Sequence, residues 1–274
     1  MHHLSPLMNH LNFLKLGGSL LTEKTGVEET RPQVITRIAQ EIAQARQAQP
    51  DLALLLGHGS GSFGHVAAAK YGTRHGVHTP EQWHGFAEVS AAAARLNKIV
   101  TDALVKERIS AISFQPSASA WCNDGQIEFL STQTIKQALQ HQLVPLVYGD
   151  VAFDAVRGGT IISTEEIFTY LVDELQPAWL LLAGETDGVY DESSVTIPLI
   201  TPGNFEQIKS ALGGSRGTDV TGGMASKVRA MLDLTQAHPG LAILIFSGLT
   251  EGNITQALLD PTSVRGTILS VRNS

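Results

Sequence analysis

One cysteine, Cys122, occurs in 274 residues, so no internal disulfide can staple the fold and a reducing compartment is expected. A lone thiol of this kind reads as a core or pocket-wall residue. No run of about eighteen apolar residues is present, which argues against a membrane-spanning helix. The stretch from Met1 to Asn12 lacks an apolar segment followed by a small-residue cleavage site, so a cytoplasmic protein is expected, with Met8 as a second candidate start. Positive charge is scarce: 19 Lys and Arg against 26 Asp and Glu give a net charge of −7. Without a basic cluster to neutralise a phosphate backbone, a nucleic-acid surface is excluded. The nucleotide-binding pattern G-x-x-x-x-G-K-[ST] is missing, and so are internal repeats and low-complexity tracts.

What the chain has instead is glycine at the ends of short apolar runs. Leu11–Leu16, Leu52–Leu56, Ile109–Phe114, Leu143–Tyr148, Trp179–Leu182 and Leu241–Phe246 do not alternate, as suits strands buried on both faces of a mostly parallel sheet. Helical patterns lie between them. Pro32 and Pro80 suit first-turn positions, Thr164-Glu165-Glu166 starts a third helix with acid where the dipole favours it, and Met224–Ala237 reads as a fourth. Strand and helix in alternation predict an α/β three-layer αβα sandwich. Its length permits two lobes, with a boundary near Gln176-Pro177 giving residues 1–177 and 178–274. Ligands in such sheets bind beyond the carboxyl ends of the strands, where the glycine turns fall.

Three of these turns look like anion sites. In Leu56-Gly57-His58-Gly59-Ser60-Gly61-Ser62-Phe63-Gly64-His65, glycine lets backbone N–H groups approach an anion, and the closing histidine can hydrogen-bond a phosphate oxygen. The same stretch matches G-x-G-x-x-G, but the acidic residue a dinucleotide fold needs about twenty positions on, at the end of a next strand, is absent. Lys15 ends the first strand before Gly17-Gly18-Ser19; a lysine in a buried run calls for an anion, unless it simply reaches solvent. Asp150, in Gly149-Asp150-Val151, is placed to hold that lysine or to serve as a turn or cap. Asp219-Val220-Thr221-Gly222-Gly223-Met224 leads into a helix that carries Lys227 one turn inside. Gly213–Gly217 reads as a mobile loop. Gly184-Glu185-Thr186-Asp187-Gly188 offers polar groups for a nucleotide or a plain turn. His75, His78 and His84 lack compact metal-ligand spacing and suit a lid or access loop better.

Taken in order, Lys15-x-Gly17-Gly18-Ser19, the second glycine loop, Gly149-Asp150-Val151, Asp187-Gly188-Val189-Tyr190, Asp219-x-Thr221-Gly222-Gly223-Met224-x-x-Lys227, Ser247-Gly248-Leu249 and Gly266-Thr267-Ile268 resemble the amino acid kinase superfamily over nearly the whole chain. Within it, Gly61-Ser62-Phe63-Gly64-His65 and the lysine of Thr22-Glu23-Lys24 resemble the isopentenyl phosphate kinases, with the fosfomycin kinases as nearest competitor. The resemblance implies transfer of a phosphoryl group from ATP, with Mg²⁺, to isopentenyl phosphate or dimethylallyl phosphate by a homodimer. It implies an acceptor-binding N-terminal lobe and an ATP-binding C-terminal lobe. Lys15, Lys24 and Lys227 would stabilise the transferring group, with Asp150 beside them, and His65 would bind the acceptor phosphate with Ser60, Gly61, Gly64 and Gly149. Gly17, Gly18, Ser19, Gly61, Glu185, Gly223, Lys15 and Lys227 would line the nucleotide. Two residues depart from the family pattern: Ser60 replaces a usual glycine, awkward if φ must be positive, and Glu185 replaces a frequent aspartate. An isoprenoid tail also needs an apolar pocket; Phe86, Val89, Ala91–Ala94 and Leu96 offer one, although core packing is the preferred reading of these residues. A non-catalytic nucleotide or amino-acid sensor on the same fold is the competing class.

Overall fold

The computed structural model describes residues 11–209 and 223–271, leaving aside the side chains of residues 65–67. Eight strands form one sheet: β1 (Asn12–Leu16), β2 (Leu54–His58), β3 (Ala111–Ser113), β6 (Val144–Tyr148), β9 (Trp179–Gly184), β10 (Leu199–Ile200), β11 (Ala242–Ser247) and β12 (Gly266–Leu269). Their order is β10-β12-β11-β9-β1-β2-β6-β3, and every neighbouring pair is parallel except β11–β12. All six apolar runs read from the sequence become strands of this sheet. In β1 the side chains alternate between two cores: Leu14 and Leu16 enter one, Phe13 the other.

Helices cover both faces, which is why the strands are apolar throughout. On the Leu14 side lie α1 (Gly18–Leu21), α2 (Pro32–Ala48), α3 (Gly61–Tyr71), α4 (Pro80–Lys106) and α9 (Asn253–Leu259). On the Phe13 side lie α5 (Gln133–Gln140), α6 (Thr164–Leu175) and α8 (Gly223–Ala237). The expected three-layer αβα sandwich is therefore the observed one. Pro32 and Pro80 both sit in a first turn. The helix expected at Thr164 starts there, with Ser163 and Glu166 closing a capping box that adds to the dipole preference for acid.

A second, four-stranded sheet was not read from the sequence. It has the order β5 (Gln126–Phe129), β4 (Trp121–Asn123), β7 (Asp150–Asp154), β8 (Gly158–Ile162). Its strands are short, and Trp121, Phe129 and Phe153 are exposed, so no continuous apolar run announces them. Cys122 is fully buried in the Phe13-side core, and burial pushes its thiol up to about 11, which keeps it inert. No helix among the described residues is long and apolar enough to cross a membrane.

Candidate active site

Parallel pairing sets Lys15 opposite Gly57 and Leu16 opposite His58, so the turns after β1 and β2 end side by side. The Gly59 N–H donates to Leu16 O (3.0 Å) and the Gly17 N–H to Ala183 O (2.9 Å), which ties in the end of β9 as well. The two turns touch backbone to backbone. A β-carbon at Gly18 would lie 2.7 Å from the Gly61 Cα, and Gly61 itself has φ +50°, so both positions require glycine. Thr22 locks the contact: its hydroxyl donates to Gly18 O (2.9 Å) and accepts from the Ser62 N–H (2.9 Å). Ser60 has φ −76°, an ordinary value, so serine is accommodated where positive φ would have been costly. Gly64 and His65 fall in the first turns of α3; the His65 side chain lies outside the described residues.

Lys15 points toward the α6 side of the sheet, where its ammonium is ion-paired with Glu165. Gly57 makes that meeting feasible. A β-carbon there would come 2.6 Å from Phe168 Cε1 and 2.7 Å from Thr164 Cγ2, so the start of α6 sits where a side chain on β2 would otherwise be. Burial pulls the Glu165 carboxyl up, but the charge and hydrogen bond of Lys15, with the charge of Lys227 from α8, outweigh it and hold the group below its usual value. Lys15 and Lys227 thus act on one carboxylate. Of the two readings of Asp150, the structure shows the turn or cap: it is buried and accepts from the Val151 N–H (2.8 Å) and the Ser117 N–H (3.2 Å), while the ion pair of Lys15 goes to Glu165. Gly149 donates its N–H to His58 O (3.3 Å), on the same floor.

On the other side of the glycine turns, Lys24 pairs with Glu185 (2.6 Å), and Glu185 also accepts from Arg31 (3.2 Å). Arg31 in turn grips Glu23 with two nitrogens (3.1 and 3.2 Å). Burial raises the Glu185 carboxyl less than its two cationic partners lower it, so it stays ionised. The Ser247-Gly248 turn closes this edge, with the Gly248 N–H donating to Gly184 O (2.8 Å). Ser19 lies on α1, and Gly223 opens α8. Asp219, Thr221, Gly222 and the Gly213–Gly217 loop lie outside the described residues.

The amino acid kinase family profile matches residues 11–247. The isopentenyl phosphate kinase of Methanothermobacter thermautotrophicus is 36% identical over 265 residues, covering 93% of this chain and 97% of that protein. The isopentenyl phosphate kinase of Methanocaldococcus jannaschii is 35% identical, covering 91% and 95%. The chain belongs to the amino acid kinase family, among the isopentenyl phosphate kinases. A solved isopentenyl phosphate kinase superimposes with a TM-score of 0.79 at 31% identity, over 95% of this chain and all of the other. An N-acetylglutamate synthase from Neisseria gonorrhoeae, with a TM-score of 0.69 at 15% identity, shares the fold alone. Membership in this kinase family makes the protein a phosphotransferase that uses ATP.

Two parts of this family site were missed in the sequence. Glu165 was read only as a dipole-favoured acid, and its opposition to Lys15 depends on Gly57, whose role appears only when β2 and α6 are packed. Arg31 precedes the proline of α2 and carries no motif. The apolar residues of α4 divide between both readings. Val89, Ala92, Ala93 and Leu96 are in the core, Ala91 and Ala94 line an open groove of about 400 Å³ with Ser117, Val151 and Phe153, and Phe86 is a core residue that also borders the groove. His84 is paired with Glu88 (3.1 Å), away from any metal cluster among the described residues.

Proposed function

We propose that this kinase transfers the terminal phosphoryl group of ATP to isopentenyl phosphate, giving isopentenyl diphosphate and ADP. One observation carries the reading: Lys15, tethered by a carboxylate that also feels Lys227, stands where two mutually contacting glycine turns end. The curated isopentenyl phosphate kinases that match nearly end to end supply the acceptor. The N-terminal half would hold that acceptor, with its phosphate over the turn from Ser60 to Gly64, His65 and Gly149, and its tail in the groove beside Phe86 and Ala91. The C-terminal half would hold the nucleotide near Glu185 and Gly223, with Gly17, Gly18 and Ser19 of the first turn beside its phosphates.

The chemistry needs no general base, because a phosphate monoester with a second pKa of about 6 is already an anionic nucleophile at neutral pH. A non-bridging oxygen of the acceptor attacks the γ-phosphorus as the bond to the β–γ bridging oxygen breaks, and ADP takes the electron pair. The obstacle is repulsion between two anions, so positioning and charge neutralisation decide the rate. Lys15 and Lys227 would neutralise the transferring group, with Glu165 fixing the place of Lys15. Lys24 would serve from the acceptor side once it leaves Glu185. Mg²⁺ would be held by phosphate oxygens and water, lowering the charge on the nucleotide. Mg²⁺ keeps waters and leans on phosphate oxygens, so it needs no dedicated carboxylate cage. A homodimer is proposed from the family resemblance.

Incubation of the purified protein with ATP, Mg²⁺ and, in parallel, isopentenyl phosphate, dimethylallyl phosphate, fosfomycin or uridylate tests this directly. ADP release is expected fastest with an isoprenoid monophosphate. Faster turnover of fosfomycin would replace the acceptor assignment, and no turnover of any acceptor would favour a sensor.

A further inference from the structure

His58 ends β2 one residue before the phosphate turn, has no exposed surface, and none of the roles above uses its side chain. Its ring stacks on Tyr148, with centroids 5.6 Å apart and planes 6° from parallel. Nδ1 lies 3.1 Å from Gly59 O, and Nε2 lies 3.2 Å from Asn97 Oδ1. On the other side of that carboxamide, Nδ2 donates to Ser113 Oγ. Both oxygens only accept; the Gly59 carbonyl cannot exchange for a donor, whereas the carboxamide can turn over, so Nδ1 carries the proton. Burial disfavours a charged ring and outweighs both hydrogen bonds, so the imidazole is neutral and Nε2 is an acceptor. Turning the Asn97 carboxamide by 180° exchanges Oδ1 and Nδ2, and every group is then satisfied, with Nδ2–H donating to Nε2 and Oδ1 accepting the Ser113 hydroxyl. A fixed chain runs from the sheet edge through α4 to the carbonyl of Gly59.

That carbonyl matters because of the peptide it belongs to. In a planar trans peptide, the C=O of Gly59 and the N–H of Ser60 point in opposite directions. Drawing the oxygen inward to His58 turns the Ser60 N–H outward, to the side where the acceptor phosphate is placed. With the peptide flipped, an oxygen lone pair would face the anion instead. The His58 carbonyl adds to the same frame, accepting from Thr164 Oγ1 (2.6 Å) at the start of α6 and from the Gly149 N–H (3.3 Å).

We propose that His58, as the neutral Nδ1–H tautomer, is a positioning residue that holds the Gly59–Ser60 peptide with its N–H toward the acceptor phosphate. This rests on reading the turn as the acceptor-phosphate seat. His58→Phe keeps the ring and its stacking but removes the donor, whereas His58→Asn places an amide N–H near the Nδ1 position and loses the ring. The Phe variant is expected to raise KM for isopentenyl phosphate by about tenfold or more, the scale of one lost hydrogen bond, with KM for ATP within about twofold of wild type. The Asn variant is expected to recover much of the acceptor affinity despite packing less well. In the unsubstituted enzyme, ¹⁵N resonances of the His58 ring should show a protonated Nδ1 and a bare Nε2 at neutral pH.

An unchanged acceptor KM in the Phe variant overturns the proposal, as does an equal rise for both substrates or an equal loss in the Phe and Asn variants. A ring protonated on Nε2 alone overturns it without any kinetics, even if the Phe variant fails to fold. Absence of turnover by the wild type instead sinks the acceptor assignment, and the loop role with it. An active wild type with an insensitive His58→Phe variant sinks only the role of His58.

Discussion

A lysine ammonium held by a carboxylate is already oriented before substrate arrives, so less freedom remains to be lost at the transition state. Lys15→Ala is therefore expected to lower kcat by about two orders of magnitude or more, as removal of a donor to developing charge usually does. Glu165→Gln keeps the shape and discards the charge, and should lower kcat by about tenfold while leaving both KM values nearly unchanged. Steady-state kinetics with varied ATP and varied isopentenyl phosphate separates the two. A Gln variant in which only KM for ATP rises would mean that Glu165 contributes to binding and not to the placement of Lys15. His65→Ala should cost about two orders of magnitude in turnover if the imidazole binds the acceptor phosphate as the sequence reading has it.

Among elements, the packing of α6 against β2 decides where the charged cluster forms. Gly57→Ala pushes a methyl group into Phe168 and Thr164, and small-to-large changes in packed regions typically cost about 1–3 kcal/mol. Loss of stability in a denaturant melt should be accompanied by a drop in kcat, because Glu165 is displaced together with the start of α6. A fully active, destabilised Gly57→Ala protein would contradict that coupling. The same packing explains what the sequence could and could not disclose. Apolar runs such as Leu52–Leu56 and helix starts at Pro32 and Pro80 are local signals, and they located the central sheet and its long helices. Lys15, the glycine turns and Lys227 were legible because their chemistry is written in consecutive residues. Glu165 sits 150 residues from Lys15, and nothing near it in the chain names its partner. The small sheet escaped notice because Trp121, Phe129 and Phe153 are exposed and its strands are three to five residues long.

Across the whole molecule, the central sheet divides at the β1–β9 pairing. β1, β2, β6 and β3 come from residues before Gln176-Pro177, and β9, β11, β12 and β10 from residues after it. Lys24 from the first group of residues pairs with Glu185 from the second across this pairing. Global stability also carries a pH signature. The folded protein resists protonation of His58, whereas the unfolded chain takes a proton near 6.5. The unfolded state then binds more protons, so stability is full above that pH and declines as the pH falls below it. Thermal melts from pH 7.5 down to 5.5 should show this slope, and His58→Phe should flatten it. An identical slope in the variant would assign the effect to other groups.

The contact between Gly18 and Gly61 leaves no room for variation: any larger residue at either place forces the two turns apart. Ala91 on α4 lines the open groove and is exposed, so it tolerates change. If the turns hold the proposed phosphate and the groove the proposed tail, grip on one and choice of the other are separable inheritances, the first frozen by the backbone and the second free to drift. An Ala91→Phe substitution should accordingly alter which tails are accepted while the affinity for ATP stays where it was.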